Sequence, residues 1–199
     1  MLRGGSSSPN ASHPGAALAA AHVTSVINNS GPGDNTVLYM LALLREILPT
    51  FPKSQTKTCC ETILRLMTLS TAYIVSTGLA ALHGLFFSRP GPATLPADLN
   101  GQLLTALYDY QPGTNDAGPL VAWLTVVQEG LLNLAQLEPA ICHGHLARFY
   151  TVGAALWLSD RGEVVQSAGL AMKAVSGECL RGNKFMSHII VIAAVFSHC

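Results

Sequence analysis

Apolar residues recur at every third or fourth position from about residue 15 to about residue 180, and no segment shows the strict alternation of a half-buried strand. Glycine, proline and short polar runs interrupt this spacing at intervals. The pattern predicts an all-α protein of eight helices, which are separated by Ser30–Gly33, Pro49–Pro52, Ser70–Thr71, Ser88–Pro92, Gln111–Gly113, Pro139 and the segment before Asp160.

The predicted helices pair into four hairpins, and the pairs recur at roughly 40 to 45 residues, the period of HEAT and armadillo repeats. A single hairpin of this kind cannot cover its own apolar face, so neighbouring hairpins must stack. We therefore expect an α-solenoid of stacked antiparallel hairpins with about four repeats. A compact helical bundle is the alternative that the same periodicity allows.

The two ends of the chain fall outside this pattern. Residues 1–14 are polar and rich in glycine, serine and proline, and we expect them to form a disordered lead-in. Residues 15–180 form the predicted repeat segment. Residues 181–199 contain an apolar run, His188–Phe196, without the polar outer face that closes a repeat array, so we expect this tail to lie outside the array.

Composition narrows the class of protein. The chain has 199 residues, of which 49% are apolar and 11% charged, and its net charge is zero. These values exclude a disordered chain, and they leave no basic excess to attract nucleic acid or an anionic membrane over the whole surface. The five cysteines are odd in number and form no CxxC motif, which favours a reducing compartment.

One stretch has the length of a membrane span, because no charged residue occurs from Leu66 to Ser88. It contains several hydroxyl side chains and His83, and no basic cluster flanks either end. We interpret it as part of the buried interior of a helical stack and expect no membrane partner.

The densest group of metal-capable side chains is Cys142, His143 and His145. Structural zinc needs four ligands at defined spacing, and no second half with matching spacing is present. The chain also lacks the HExxH, GxSxG, GxGxxG and GxxxxGK[ST] motifs. We expect neither an enzyme nor a protein with a cofactor or small-molecule substrate. The alternative is a small helical metal-binding or enzymatic module that uses Cys142, His143 and His145.

The segment Ala106–Tyr110 has the sequence ALYDY, which is identical to a signature of SH3 domains. In those domains it lies at the start of a small β-barrel, whereas here it ends a helical pattern that begins near Ala97. We interpret the match as a coincidence and expect Tyr110 to lie in the core and Asp109 in solvent.

Several segments occur in an order and spacing that is more specific than any of them alone. They are Leu41–Pro49, Cys60–Ser70, Ala81–Phe86, Arg89–Gly91, Leu103–Tyr110, Asn115–Asp116, Ala122–Leu124 and Gly144–Phe149. Together they resemble one stretch of the ribosomal RNA-processing protein 12 family, and the resemblance extends from near His13 to about Cys179. Members of that family are far longer, and this chain resembles an early internal part of their solenoid.

The resemblance implies a HEAT-repeat ribosome biogenesis factor of the nucleus and nucleolus. Its implied role is that of a non-enzymatic scaffold in pre-ribosomal RNA processing and in the maturation and export of pre-ribosomal subunits. The implied partners are pre-ribosomal particle proteins, pre-ribosomal RNA and the Ran and karyopherin transport factors. No motif in the chain assigns any of these contacts to a residue.

Charge supplies the candidates for partner contact. Lys53, Lys57 and Arg89 lie in or beside predicted inter-helix loops, where a side chain most readily reaches a partner. Because phosphate contacts dominate RNA affinity, a chain with so few basic residues is expected to bind RNA weakly. We therefore predict a protein-interaction segment.

Overall fold

A computed structural model describes residues 14–30, 35–68, 71–86, 95–113 and 116–182. Within these ranges the chain forms helices and no strand, which confirms the all-α prediction. The α-helices are α1 (Pro14–Asn29), α2 (Asn35–Ile47), α3 (Lys53–Thr68), α4 (Ala72–His83), α5 (Ala97–Tyr110), α6 (Ala117–Leu137), α7 (Pro139–Trp157) and α8 (Gly162–Gly182). Two 3₁₀ turns, Leu48–Thr50 and Gly84–Phe86, extend α2 and α4. Most of the predicted lead-in and tail lies outside the described residues.

The helices form two layers. Each odd-numbered helix packs against the even-numbered helix that follows it, which gives the hairpins α1–α2, α3–α4, α5–α6 and α7–α8. Each helix also packs against the next helix of its own layer, so that α2, α4, α6 and α8 form one stack and α1, α3, α5 and α7 the other. This arrangement is the predicted α-solenoid of four hairpins rather than a compact bundle.

The uncharged stretch from Leu66 to Ser88 does not form one long helix. Helix α3 ends at Thr68 and α4 begins at Ala72, so the stretch is divided between two helices of one hairpin. Half of the residues of α4 are buried, with Val75, Leu79 and Leu82 in the core. The missing charge therefore reflects burial in the stack, as predicted.

Helix α6 is the one helix of the described residues that is long and apolar enough, by length and composition, to cross a membrane. It is also the centre of the fold, because it packs against α4, α5, α7 and α8. Trp123, Val127 and Leu131 on this helix are fully enclosed. Its apolar composition is accounted for by these contacts.

Polar contacts in the core hold α5 against α6. The Trp123 indole donates from Nε1 to the carbonyl oxygen of Leu107 at 2.8 Å. Asn100, which is completely buried, donates from Nδ2 to the Gly130 carbonyl oxygen and to Asn133 Oδ1, both at 2.9 Å. Buried donors with such partners avoid the cost of lost hydration, so these bonds fix the register of the two helices.

The ALYDY segment is the last turn and a half of α5, as the helical interpretation requires. Asp109 is exposed, as expected. The expectation for Tyr110 is correct only in part, because its ring packs against the core but stays half-buried. Tyr108 is the buried tyrosine, and its ring lies edge-on to Trp123 at 6.1 Å between centroids.

Two backbones approach each other closely in the even-numbered layer at Gly84, directly after α4. An ideal Cβ placed on Gly84 would lie 2.1 Å from the carbonyl oxygen of Arg45, near the end of α2. The clashing atom belongs to the backbone and cannot move aside as a flexible side chain can. Glycine therefore allows α4 to pack directly against α2.

Gly84→Ala is expected to lower the free energy of unfolding by about 1–3 kcal/mol, the usual cost of overpacking a core. Gly144→Ala is the matched control, because nothing lies within 4 Å of a Cβ added to this residue of α7. Alanine is the better helix former, so the control should gain about 0.5–1 kcal/mol. Urea unfolding followed by circular dichroism measures the change in the free energy of unfolding for each variant. An equal change in the two variants would contradict the close approach at Gly84.

Candidate protein-interaction surface

The two layers differ in how closely their helices approach one another. Neighbouring even-numbered helices contact each other more extensively than neighbouring odd-numbered helices do. Helices α2, α4, α6 and α8 therefore form the more extensively packed of the two layers. We call their sides that face away from the odd-numbered layer the inner face. Its accessible residues include Tyr39, Tyr73, Ala80, Thr125, Glu129 and Leu170.

A groove of about 330 Å³ runs between α2 and α4 on the inner face. It is lined by Ala42, Arg45 and Glu46 of α2 and by Ser76, Thr77 and Ala80 of α4, among others. Most of these side chains are small, so a partner could approach the helix backbones closely. The groove is therefore a recess in the surface where neighbouring repeats meet.

Two tyrosines flank the N-terminal end of this groove. Tyr39 lies one turn before Ala42 on α2, and Tyr73 lies one turn before Ser76 on α4. Their side chains are 74% and 69% exposed. Large rings with this exposure contribute little to the core, and aromatic residues are enriched where proteins bind one another.

Charged groups flank the other end of the groove. His83 of α4 is half-buried and close enough to Arg45 of α2 and Glu129 of α6 for both charges to act on it. Burial lowers the pKa of the His83 imidazole, Glu129 raises it and Arg45 lowers it. Charges from α2 and α6 therefore both act on the end of α4.

Among the described side chains, acidic residues of the inner face lie on three of its helices. Glu46 and Glu129 lie on α2 and α6, and Glu163 and Glu178 lie on α8. Glu178 accepts a hydrogen bond from Gln136 of α6, and Lys173 stands about 140° away from it round the helix. Lys173 therefore lies on a different side of α8 from Glu178, and Arg45 is the cation among the residues that line the groove.

The structure places the predicted contact residue Lys53 on the outer side of the array, in an ion pair. Its Nζ lies 2.5 Å from Asp98 Oδ2 of α5, and both side chains are more than half exposed. The hydrogen bond from Lys53 lowers the pKa of the Asp98 carboxyl. Lys57 lies one turn further along α3 and is exposed, whereas Arg89 lies outside the described residues.

The other outer cations also make contacts between repeats. Arg148 of α7 donates to Asp109 of α5 at 2.9 Å, and its guanidinium lies 5.0 Å from the centre of the Tyr108 ring. Arg65 of α3 donates to Asn28 of α1. Such exposed pairs add little stability, but in them the arginine side chains contact the neighbouring repeat.

The three metal-capable residues of α7 point in different directions. Cys142 is fully buried and donates to the Leu131 carbonyl oxygen at 3.5 Å. His143 is exposed, and His145 stacks on the Tyr108 ring with 6.0 Å between centroids. Among the described residues, no three His, Cys, Asp or Glu side chains are grouped as metal ligands would be.

The structure instead brings Cys142 together with Cys179 of α8, a pairing that the sequence analysis missed. The hydrogen bond with Cys179, together with burial, raises the pKa of the Cys142 thiol. The same hydrogen bond lowers the pKa of the Cys179 thiol. Both thiols are buried in the packing between α7 and α8.

A two-layered stack of hairpins with an accessible inner face places the chain in the α-solenoid class of helical-repeat proteins. No protein-family model matches it. The chain is 40% identical over 170 residues to an RRP12-like protein of Gallus gallus and 41% identical over 172 residues to one of Homo sapiens. These matches cover 84% and 85% of the chain but 13% of each relative. An RRP12-like protein of Drosophila melanogaster is 32% identical over 146 residues, which are 73% of the chain and 10% of the relative.

Over these matched residues the chain belongs to the RRP12-like family. The resemblance found in the sequence is thereby confirmed. The chain spans only about an eighth of the length of the chicken and human relatives.

The stability of the fold is expected to fall as the pH is lowered from about 7.5 to about 5.5. Burial and the nearby Arg148 lower the pKa of His145 below its ordinary 6.5. The unfolded chain therefore binds protons at a higher pH than the folded chain, so stability is full above pH 6.5 and is lost as the pH falls below it.

His145→Gln should reduce this pH dependence, and His143→Gln, which changes an exposed imidazole two residues away, should leave it unchanged. Urea unfolding at about pH 7.5 and about pH 5.5 measures how strongly the free energy of unfolding depends on pH, which is the slope compared between variants. A slope that His143→Gln reduces as much as His145→Gln would contradict the assignment.

Proposed function

We propose that the chain is a non-enzymatic scaffold segment of a ribosome biogenesis factor, and that it holds proteins of the pre-ribosomal particle on its inner face. The observation that carries this proposal is the accessible inner face, where exposed tyrosines border a groove between two repeats. Membership of the RRP12-like family supports the biological setting.

The chemistry of the described residues supports a scaffold more than an enzyme. Cys142 is buried, and its hydrogen bond with Cys179 and its burial raise the pKa of its thiol, while burial raises the pKa of Cys60 to about 12. The inner face offers recesses and accessible side chains along successive repeats, which is how solenoids bind extended partners. The proposed role is therefore to hold other components in place.

The finer roles follow from the family and complete the proposal. They are participation in pre-ribosomal RNA processing and in the maturation and export of pre-ribosomal subunits, location in the nucleus and nucleolus, and association with Ran and karyopherin transport factors. RNA contact by this segment is expected to be weak. The outer cations Lys53, Arg65 and Arg148 contact neighbouring repeats, so few of them can neutralise phosphates freely.

The tagged full chain, expressed in cultured cells, should co-sediment with pre-ribosomal particles on a sucrose gradient and should lie in the nucleus. A chain that stays at the top of the gradient would contradict the proposal. Fluorescence anisotropy with structured ribosomal RNA at physiological salt tests the choice of partner. Submicromolar binding that is lost on substitution of Lys53, Lys57 and Arg89 would show an RNA-binding segment instead.

A further inference from the structure

We propose that Cys142 of α7 and Cys179 of α8 form a disulfide bond when hydrogen peroxide oxidises them. This inference goes beyond the scaffold function, because it assigns a site of covalent modification to the fold. The bond joins the two helices of the α7–α8 hairpin. The proposal combines the contact between the two thiols, a hydroxyl pair beside them and the position of Cys179 near the end of α8.

The two thiols meet inside the hairpin. Cys142 is completely buried, and Cys179 is 5% exposed. A hydrogen bond joins the two sulfur atoms across the interface between α7 and α8. A disulfide requires two cysteines whose side chains face each other closely enough that the backbone need not move. Two thiols that already share a hydrogen bond across one interface are placed for such a bond.

A second contact holds the two helices together at the same place. The hydroxyl groups of Tyr150 on α7 and Ser176 on α8 lie 2.7 Å apart. Burial raises the pKa of the Tyr150 phenol, the bond with Ser176 lowers it, and Cys179 and Cys142 raise it, so the phenol lies close to both thiols. Ser176 is nearly one helical turn before Cys179. Disulfide formation therefore does not have to draw the helices together.

Cys179 is the cysteine that an oxidant reaches first. It lies in the last turn of α8, which ends at Gly182, and the last carbonyl groups of a helix have no partner within the helix. Terminal turns also open more readily than the centre of a helix. Oxidation requires a thiolate, and the hydrogen bond with Cys142 lowers the pKa of the Cys179 thiol. Cys179 is therefore the sulfur that attacks the peroxide.

The oxidation has two steps. The Cys179 thiolate attacks one peroxide oxygen, so that an S–O bond forms, the O–O bond breaks, and the other oxygen leaves as hydroxide and takes up the proton that the thiol released. The Cys142 sulfur then attacks the sulfur of this sulfenic acid. The S–S bond forms, the S–O bond breaks, and the hydroxyl group leaves with the Cys142 proton as water. The two thiols together lose two electrons, and hydrogen peroxide is reduced to two waters.

The buried cysteines of α3 supply an internal comparison. Cys59 and Cys60 are successive residues of one helix, so their side chains point about 100° apart. Side chains that diverge in this way cannot be bridged without moving the backbone. Cys59 instead shares a hydrogen bond with Thr24 of α1 at 3.4 Å. We expect these two thiols to stay unlinked under conditions that link Cys142 to Cys179.

Oxidation of the full, folded chain with hydrogen peroxide tests the proposal. After the peroxide is removed, free thiols are alkylated, and the chain is digested and measured by mass spectrometry without reductant. A peptide pair joined through Cys142 and Cys179 should appear, and dithiothreitol should separate it. The same oxidation in concentrated urea should give several pairings, because the unfolded chain no longer selects one.

Alanine variants locate the bond. Cys142→Ala and Cys179→Ala should each abolish the linked peptide pair. Cys60→Ala is the matched control, because it removes a buried cysteine from another hairpin and should leave the pair unchanged. Oxidation should also raise the urea concentration at which the unsubstituted chain unfolds, because a cross-link constrains the unfolded chain, and it should not do so in Cys179→Ala. Circular dichroism before oxidation checks that each variant is folded.

Three results would overturn the proposal, and all are measured on the unsubstituted chain, so none depends on the folding of a variant. The first is oxidation of Cys179 to sulfinic acid without a linked peptide pair. The second is the absence of the Cys142–Cys179 link at a peroxide concentration that links cysteines in urea. The third is the same mixture of pairings in the folded and the unfolded chain.

Discussion

The packing of α6 against four other helices is the interaction on which the rest of the structure depends. Helix α6 packs in its own layer against α4 and α8 and across the layers against α5 and α7. Its Trp123 indole is completely buried and hydrogen-bonded to α5, so the helix cannot shift along its neighbour without leaving a buried donor unpaired. Gly130 of α6 permits the close contact between α6 and α5, because a Cβ on this residue would lie 2.9 Å from the Leu104 side chain of α5.

Because the two layers cover each other, the inner face is not required for the core. The buried stripe of each even-numbered helix faces the odd-numbered layer and its own neighbours, as Leu41 on α2 and Leu79 on α4 show. The opposite side can then carry exposed tyrosines at little cost to stability. Such a separation of packing from surface chemistry suits a protein that holds other molecules along successive repeats.

The fold could be predicted from the sequence because its signal is local. A helical period and its breakers can be recognised within one helix, and the recurrence of helix pairs then indicates stacking. The phase of a helix was harder to predict: the pattern assigned Tyr110 to the core, where its ring packs but stays half-buried, and it did not identify Tyr108, which is more fully buried. The candidate surface could not be predicted in the same way, because it requires knowing which sides of the helices face each other.

The repeat period itself contained a signal that the sequence analysis did not use. Lys53 and Asp98 are 45 residues apart, and Asp109 and Arg148 are 39 residues apart, which is close to one repeat. Residues separated by one period lie beside each other in a stack, so opposite charges at that separation predict a pair between neighbouring repeats. From the sequence alone, this rule predicts that Lys53 forms an ion pair with Asp98.

The central claim is that the inner face, and not the outer face, contacts protein partners. A photo-reactive amino acid placed at Tyr73 on the inner face, or at the exposed Gln102 on the outer side of α5, tests it in cells that express the full chain. The account predicts protein cross-links from position 73 and few from position 102. Cross-links from position 102 alone, or cross-links from position 73 to RNA and not to protein, would contradict it.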